Sequence, residues 1–244
     1  MSMGQKSFLF FVLILAPCRL YSEVQNITLS MPIIQPTLYS VSSKRVLDRA
    51  YSQIKVEVKY ERYPANRSLY AANRGVTDGI LARIPNMERS YPNLTMLPIP
   101  LASEKVYVYT HDLHFRIYDW RVISRYRVAI VRGFELATKH LNKDSLVEVP
   151  SVEQAFSMLE QKKVDFVIDL ESGQCVLNKL GLNKIRRLEP AISELTVYHY
   201  LHIRHQSLSR ELKVILESMA LSGEIRSIYD NTLEELDCVR PIAQ

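Results

Sequence analysis

The chain has 244 residues, 31 Lys and Arg, 26 Asp and Glu and three cysteines, for a formal charge of +5. Without an N-terminal leader that holds Lys6, Arg19 and no acid, the charge is +3, too small to argue for a polyanionic partner. Cys175 and Cys238 then remain, which an exported chain can pair but which make no disulfide framework; the length suits one large domain or two lobes.

Lys6 followed by the unbroken apolar run Phe8 to Ala16 reads as a signal peptide over residues 1–22, because the run is too short to span a bilayer. Cleavage after Cys18 or after Ser22 is open. Proline at position 17 argues against a lipidated Cys18. Asn26 to Met31 reads as a buried strand stopped by Pro32. A helix is expected from about Ser43, with Val46, Leu47, Ala50, Tyr51 and Ile54 on one face. Lys55 to Tyr60 alternates as a strand, and a short helix covers Ala65 to Asn73, stopped by Gly75. Ile80 to Ile84 is the next strand. Pro85, Pro92, Pro98 and Pro100 are expected to hold an extended loop before a strand at Val106 to Thr110.

In the second half, strands are expected at Arg127 to Val131, Leu146 to Val149 and Val164 to Ile168. Helices are expected from Phe134 to Leu141 and from Ser151, where Ser151 and Gln154 form a capping-box start. Leu195 to Ile203 is a strand, and a last long helix carries Leu212, Ile215, Leu216 and Met219 until Gly223. Strands alternating with helices predict mainly parallel sheets.

Two stretches repeat one device. Val76-Thr77-Asp78-Gly79 and Val164-Asp165 each follow an amphipathic helix, break at a polar turn, and enter an apolar strand that ends in a charge. Two α/β units of related design, each presenting charge at its strands' carboxyl edge, would form a binding cleft. Nucleophile-elbow, P-loop, zinc-protease and dinucleotide motifs are absent from the sequence. His199, His202 and His205 are read as structural rather than metal-ligating, since on a strand the middle one points to the opposite face. Arg116, Arg121, Arg125, Arg127 and Arg132, interleaved with Tyr118, Trp120 and Tyr126, are read as solvated strand flanks rather than a nucleic-acid stripe.

The leader, the turn Gly75 to Gly79, Arg89 after a polar loop, the segment Trp120 to Gly133, the helix before Val164-Asp165 and the return strand with its final helix occur in a specific order. In that order, from Ile27 to about Asp230, the chain resembles the bacterial extracellular solute-binding proteins of family 3, which includes the polar amino-acid binding proteins. The resemblance implies a two-lobed, periplasmic-binding-protein-like (type II) α/β fold, with two mainly parallel sheets joined by two hinge crossovers. Lobe one would be residues 24–110 and 194–244, and lobe two 111–193. It implies a monomeric, non-enzymatic, cofactor-free periplasmic protein that hands a small ligand to an ABC-transporter permease. Rival readings are a sensory module reporting to a membrane kinase and a dehydratase-like enzyme on the same fold.

The resemblance also assigns residues. Arg89 would grip an α-carboxylate with a bidentate fork, assisted or replaced by Arg83. Tyr63 would pack on the ligand side chain, with Tyr39 standing in for the family's loop aromatic. The amides of Gly133 and Phe134 would receive the carboxylate at a helix start. Asp169, with Glu171 as substitute, would take an ammonium group. The sequence departs from the family in lacking a glycine after Tyr39 and in placing Phe134 where threonine is common.

Overall fold

The computed structural model describes residues 25–32, 37–111, 116–236 and 238; the leader, Cys18 and the loop residues 33–36 lie outside them. The first unit runs β1 (Gln25–Pro32), α1 (Leu38–Gln53), β2 (Val56–Tyr63), α2 (Ala65–Asn73) and β3 (Gly79–Arg83). A 3-10 turn at Met87–Arg89 leads to β4 (Leu94–Thr110). The second unit runs α3 (Trp120–Ile123), β5 (Val128–Val131), α4 (Glu135–His140), β6 (Leu146–Val149), α5 (Val152–Glu160) and β7 (Phe166–Leu170). Then follow α6 (Gly173–Leu180), the short β8 (Arg186–Arg187), β9 (Ser193–His202), α7 (Gln206–Leu221) and α8 (Glu224–Glu235).

The repeat seen in the sequence is a repeat of topology. β1 pairs in parallel with β2 and β3, and β5 pairs in parallel with β6 and β7, so each unit is β-α-β-α-β with its first strand in the middle. The two aspartates do the same work. Asp78 accepts from the Thr28 amide through Oδ2 at 2.7 Å and donates its own amide to the Thr28 carbonyl. Asp165 accepts from the Arg127 amide through Oδ2 at 2.8 Å and donates to the Arg127 carbonyl. Each pins the entry of the third strand to the first strand of its unit, giving backbone groups there a partner.

The expected pair of separate sheets is corrected in one respect: hydrogen bonds join all the strands into one path, β2-β1-β3-β9-β4-β7-β5-β6, with β8 on β4. The cause is the length of β4. Its 17 residues pair antiparallel with β9 from Leu94 to Val106 and with β7 from Val106 to Tyr109, so one strand belongs to both units. The extended loop expected around Pro98 and Pro100 is strand. Register shifts between Met96 and Pro100 and between Pro100 and Ala102 accommodate the prolines, which give no ladder hydrogen.

Each unit has apolar clusters on both faces, as a helix-covered sheet requires. In the first, Leu29, Val46, Leu47, Tyr51, Leu101 and Leu212 fill one face, and Leu69, Ala72, Ile80 and Tyr200 the other. In the second, β4 alternates: Val106 and Val108 join Ile123, Ile130 and Phe166, while Tyr107 and Tyr109 join Phe156, Leu159 and Val167. The helix expected from Ser43 begins at Leu38, because Thr37 and Ser40 form a reciprocal cap. The expected Ser151 cap is present, its hydroxyl accepting from the Gln154 amide. Helices α6 and α8 had no sequence expectation. Of the histidines, His199 is buried and bonded to Tyr51 and to the Ile80 carbonyl, while His205 meets Asp78. In the arginine-rich run, Arg121, Arg127 and Arg132 are exposed and paired with Asp119, Asp165 and Glu148.

Gly79 opens β3 where β9 crosses closely. A Cβ there would lie 2.4 Å from the Tyr200 carbonyl oxygen and 3.0 Å from a Leu201 methyl. Gly79→Ala is expected to destabilise the protein by about 1–3 kcal/mol through overpacking against backbone. Chemical denaturation measures this, and an unchanged midpoint would contradict the close packing of β3 on β9.

Candidate ligand site

The carboxyl ends of β1, β2 and β3 and the first turns of α1 enclose a cavity of about 120 Å³. Parallel strands end together here, so Met31, Pro32, Arg62, Leu81, Ala82 and Arg83 share one edge. The wall opposite is Tyr39, Ser40, Val41 and Lys44. Arg83 Nη2 donates to Ser68 Oγ at 2.8 Å and Nη1 to the Ala82 carbonyl at 3.1 Å, which holds the guanidinium at the strand end. Lys44 pairs with Asp48 at 2.6 Å and lies 4.4 Å from the centre of the Tyr60 ring.

Tyr39 joins this cavity to the second unit. Its ring packs against the main core cluster of the first unit and against the Val106–Phe166 cluster of the second. Burial raises the phenol pKa, Arg83 opposes the rise, and the charges of Glu104 and Asp169 add to it. Arg83 ends β3, Asp169 is the penultimate residue of β7, and the charges of both act on this one ring.

Glu104 sits in β4 near the end of its stretch paired with β9, opposite Leu195 and two residues before the β7 pairing begins at Val106, and it is fully buried. Its Oε1 accepts from the Tyr39 amide at 2.8 Å, at the start of α1. Its Oε2 accepts from the Ser172 amide at 3.1 Å, at the start of α6. One carboxylate thus ties the N-termini of two helices from different units, where unpaired amides and helix dipoles favour negative charge. Burial still dominates and lifts its pKa to about 7, against those bonds. Asp169 is lifted to about 7, by burial first and with the charge of Glu104 contributing. Its Oδ2 lies against Gly173, where a Cβ would come within 2.7 Å.

The other sequence-derived site residues lie elsewhere. Arg89 is exposed in the 3-10 turn and is not on the cavity wall. Tyr63 ends β2 and donates its hydroxyl to Glu61 at 2.7 Å. Gly133 adopts φ +86° in an exposed turn, and the Phe134 amide donates to the Val131 carbonyl at 3.0 Å. Phe134 packs against the second unit's core. Glu171 pairs with Arg187 at 3.2 Å. Of the sequence-derived residues the cavity wall carries Tyr39 and Arg83, joined by Lys44 and Arg62; Asp169 is not on the wall, and Glu104 reaches Tyr39 only through its amide. Glu104 had a signal: it stands at an inward register between Ala102 and Val106, where a lone acid needs partners.

No known family model matches the chain. An uncharacterised protein of Shewanella oneidensis is 26% identical over 221 residues, covering 86% of this chain and 84% of that one. Among solved structures, a histidine kinase sensor domain with similarity to periplasmic binding proteins matches with a TM-score of 0.69 at 13% identity, over 85% of this chain and 96% of its own. The GluR0 ligand-binding core complexed with L-glutamate matches with a TM-score of 0.70 at 15% identity, over 86% and 99%. AbpA, an amino-acid ABC-transporter substrate-binding protein of Streptococcus pneumoniae bound to L-arginine, matches with a TM-score of 0.66 at 13% identity, over 86% and 95%. The chain has the periplasmic-binding-protein-like fold. No helix among the described residues is long and apolar enough to cross a membrane.

Proposed function

We propose that the chain is an exported solute-binding protein that captures a small ligand, an amino acid or related carboxylate, and presents it to an ABC transporter. The observation that carries this reading is the cavity at the carboxyl edge of the first unit, with Arg83 and Tyr39 on its wall. The lobes are residues 24–110 with 194–244, and 111–193. They hinge about β4 and β9, the strands that both units share or border. Export rests on the leader, Lys6 with Phe8 to Ala16.

Arg83 takes the carboxylate in this reading, the part that the family resemblance gave first to Arg89. A thermal-shift screen of amino acids and small organic acids identifies the ligand, since one at 100 times its dissociation constant adds about 2.7 kcal/mol. Calorimetry then tests the grip. Arg83→Ala is expected to weaken binding about 30-fold or more, the cost of stranding a buried charge, and Arg89→Ala to leave it within about threefold. The reverse order would return the carboxylate to Arg89 and the 3-10 turn.

A second reading, a sensory module coupled to a membrane kinase, is favoured by the likeness to the histidine kinase sensor domain. Crosslinking of the ligand-loaded protein in its native membrane separates the two: recovery of a permease supports transport, and recovery of a kinase supports sensing.

A further inference from the structure

The geometry points to a ligand that is a small organic anion with an apolar body and no ammonium group, rather than an α-amino acid. This rests on the reading of the cavity as the ligand site and narrows the ligand class.

The charges on the cavity wall are all of one sign. Lys44, Arg62 and Arg83 line it, and among the described residues no carboxylate does. The rest of the wall is largely apolar, including Met31, Val41 and Leu81. A ligand carboxylate finds cationic donors there, one of them the fork of Arg83, which Ser68 and Ala82 already orient. A ligand ammonium needs acceptors, because a buried cation without a partner keeps little of its hydration energy.

The acids nearby do not supply the lack. Glu104 is fully buried and has both oxygens engaged, by the Tyr39 and Ser172 amides. Asp169 sits against Gly173 at the start of α6 and is not on the wall. Both carboxyls have pKa values raised to about 7 by burial, so neither holds its charge as firmly as an ordinary carboxylate facing a cation would. An α-ammonium would therefore face Arg62, Arg83 and a Lys44 already paired with Asp48, with no carboxylate on the wall to receive it. Replacing it by a keto group removes the repulsion and keeps the shape.

The test is calorimetry on the full mature chain with two matched pairs: phenylpyruvate against phenylalanine, and 4-methyl-2-oxopentanoate against leucine. Within each pair only the keto and ammonium groups differ. The oxo acid is expected to bind at least about tenfold tighter than its amino acid in at least one pair. Arg62→Gln and Arg83→Gln are each expected to lose about tenfold or more for that oxo acid, and to retain the wild-type denaturation midpoint. Equal or tighter binding of the amino acids would overturn the inference and leave the solute-binding reading standing. So would oxo-acid binding that both variants leave unchanged, because the ligand would then sit elsewhere. Silence from all four compounds at millimolar concentration also overturns it, whereas the solute-binding reading falls only if the wider screen of amino acids and organic acids fails too.

Discussion

Glu104→Gln is expected to flatten the pH dependence of folding stability by about 3 kcal/mol between pH 4.5 and pH 8. Burial raises the Glu104 carboxyl from an ordinary 4.5 to about 7. A raised carboxyl binds its proton more tightly in the folded chain than in the unfolded one. Its contribution to stability is therefore full below 4.5 and is lost as pH rises through about 7. The wild type should be less stable at pH 8 than at pH 4.5 from this group, and glutamine, which does not titrate, should remove that slope. Asp169, also raised to about 7 from 3.8, keeps a slope of the same sign in the variant.

Removal of the side chain has a different signature. Glu104→Ala leaves the Tyr39 and Ser172 amides without their acceptor. At pH 5, where the wild-type carboxyl is neutral and bonded, the loss should be about 2–5 kcal/mol, from two stranded amides and a small void. At pH 8 the loss should be smaller, because the wild type then carries a buried charge that the variant lacks. Urea denaturation at the two pH values measures both numbers. Parallel pH profiles for wild type, Gln and Ala would show that Glu104 does not titrate in this range, and the two-helix tie would lose its electrostatic role.

Loss of the disulfide between Cys175 and Cys238 is expected to cost about 4 kcal/mol. The bond links α6 to the segment after α8 across a sequence separation of 63 residues. In the chain-entropy description, closing a loop of that length removes about 4 kcal/mol of freedom from the unfolded chain. The tie joins opposite units. Helix α6 covers the Tyr109–Phe156 cluster, and α8 lies on α1, where Arg49 pairs with Glu224 and Arg45 with Glu235. Reduced wild type and the double variant Cys175→Ser/Cys238→Ser should share the same lowered midpoint in urea. A double variant as stable as the oxidised wild type would show that the bridge adds nothing to the fold.

How far the sequence carried the fold depended on the range of the interaction. The helix at Ala65 to Asn73 and the Ser151 cap were legible because caps, Gly75 and apolar periodicity act within a few residues. The start of α1 was not, since Ser40 and Ser42 look like loop residues until Thr37 is seen to cap them. Helix α8 was hidden by its short connection: Gly223, at φ +79°, ends α7 and stands directly before Glu224. The proline-rich stretch misled because a strand that feeds bulges tolerates Pro98 and Pro100, and bulges are set by the partner strand.

The sequence by itself determined the two β-α-β-α-β units and their shared device, Asp78 in one and Asp165 in the other. Those features arise from backbone periodicity and from the polar turn before each strand; the bonds of Asp78 and Asp165 to strands 50 and 38 positions away came only with the tertiary structure. The sequence also placed Arg83 and Asp169 at the carboxyl ends of their strands, to within a residue. Only the tertiary structure decided that the units share one sheet through β4, that Arg83 and not Arg89 stands on the cavity wall, and that Glu104 closes two helix starts at once. It alone paired Cys175 with Cys238. Each of these depends on the register of β4 between β9 and β7, and on where α1, α6 and the chain after α8 meet at that strand. Contacts separated by 60 or more positions, such as Tyr39 with Glu104 and Glu104 with Ser172, leave no periodic trace in the chain.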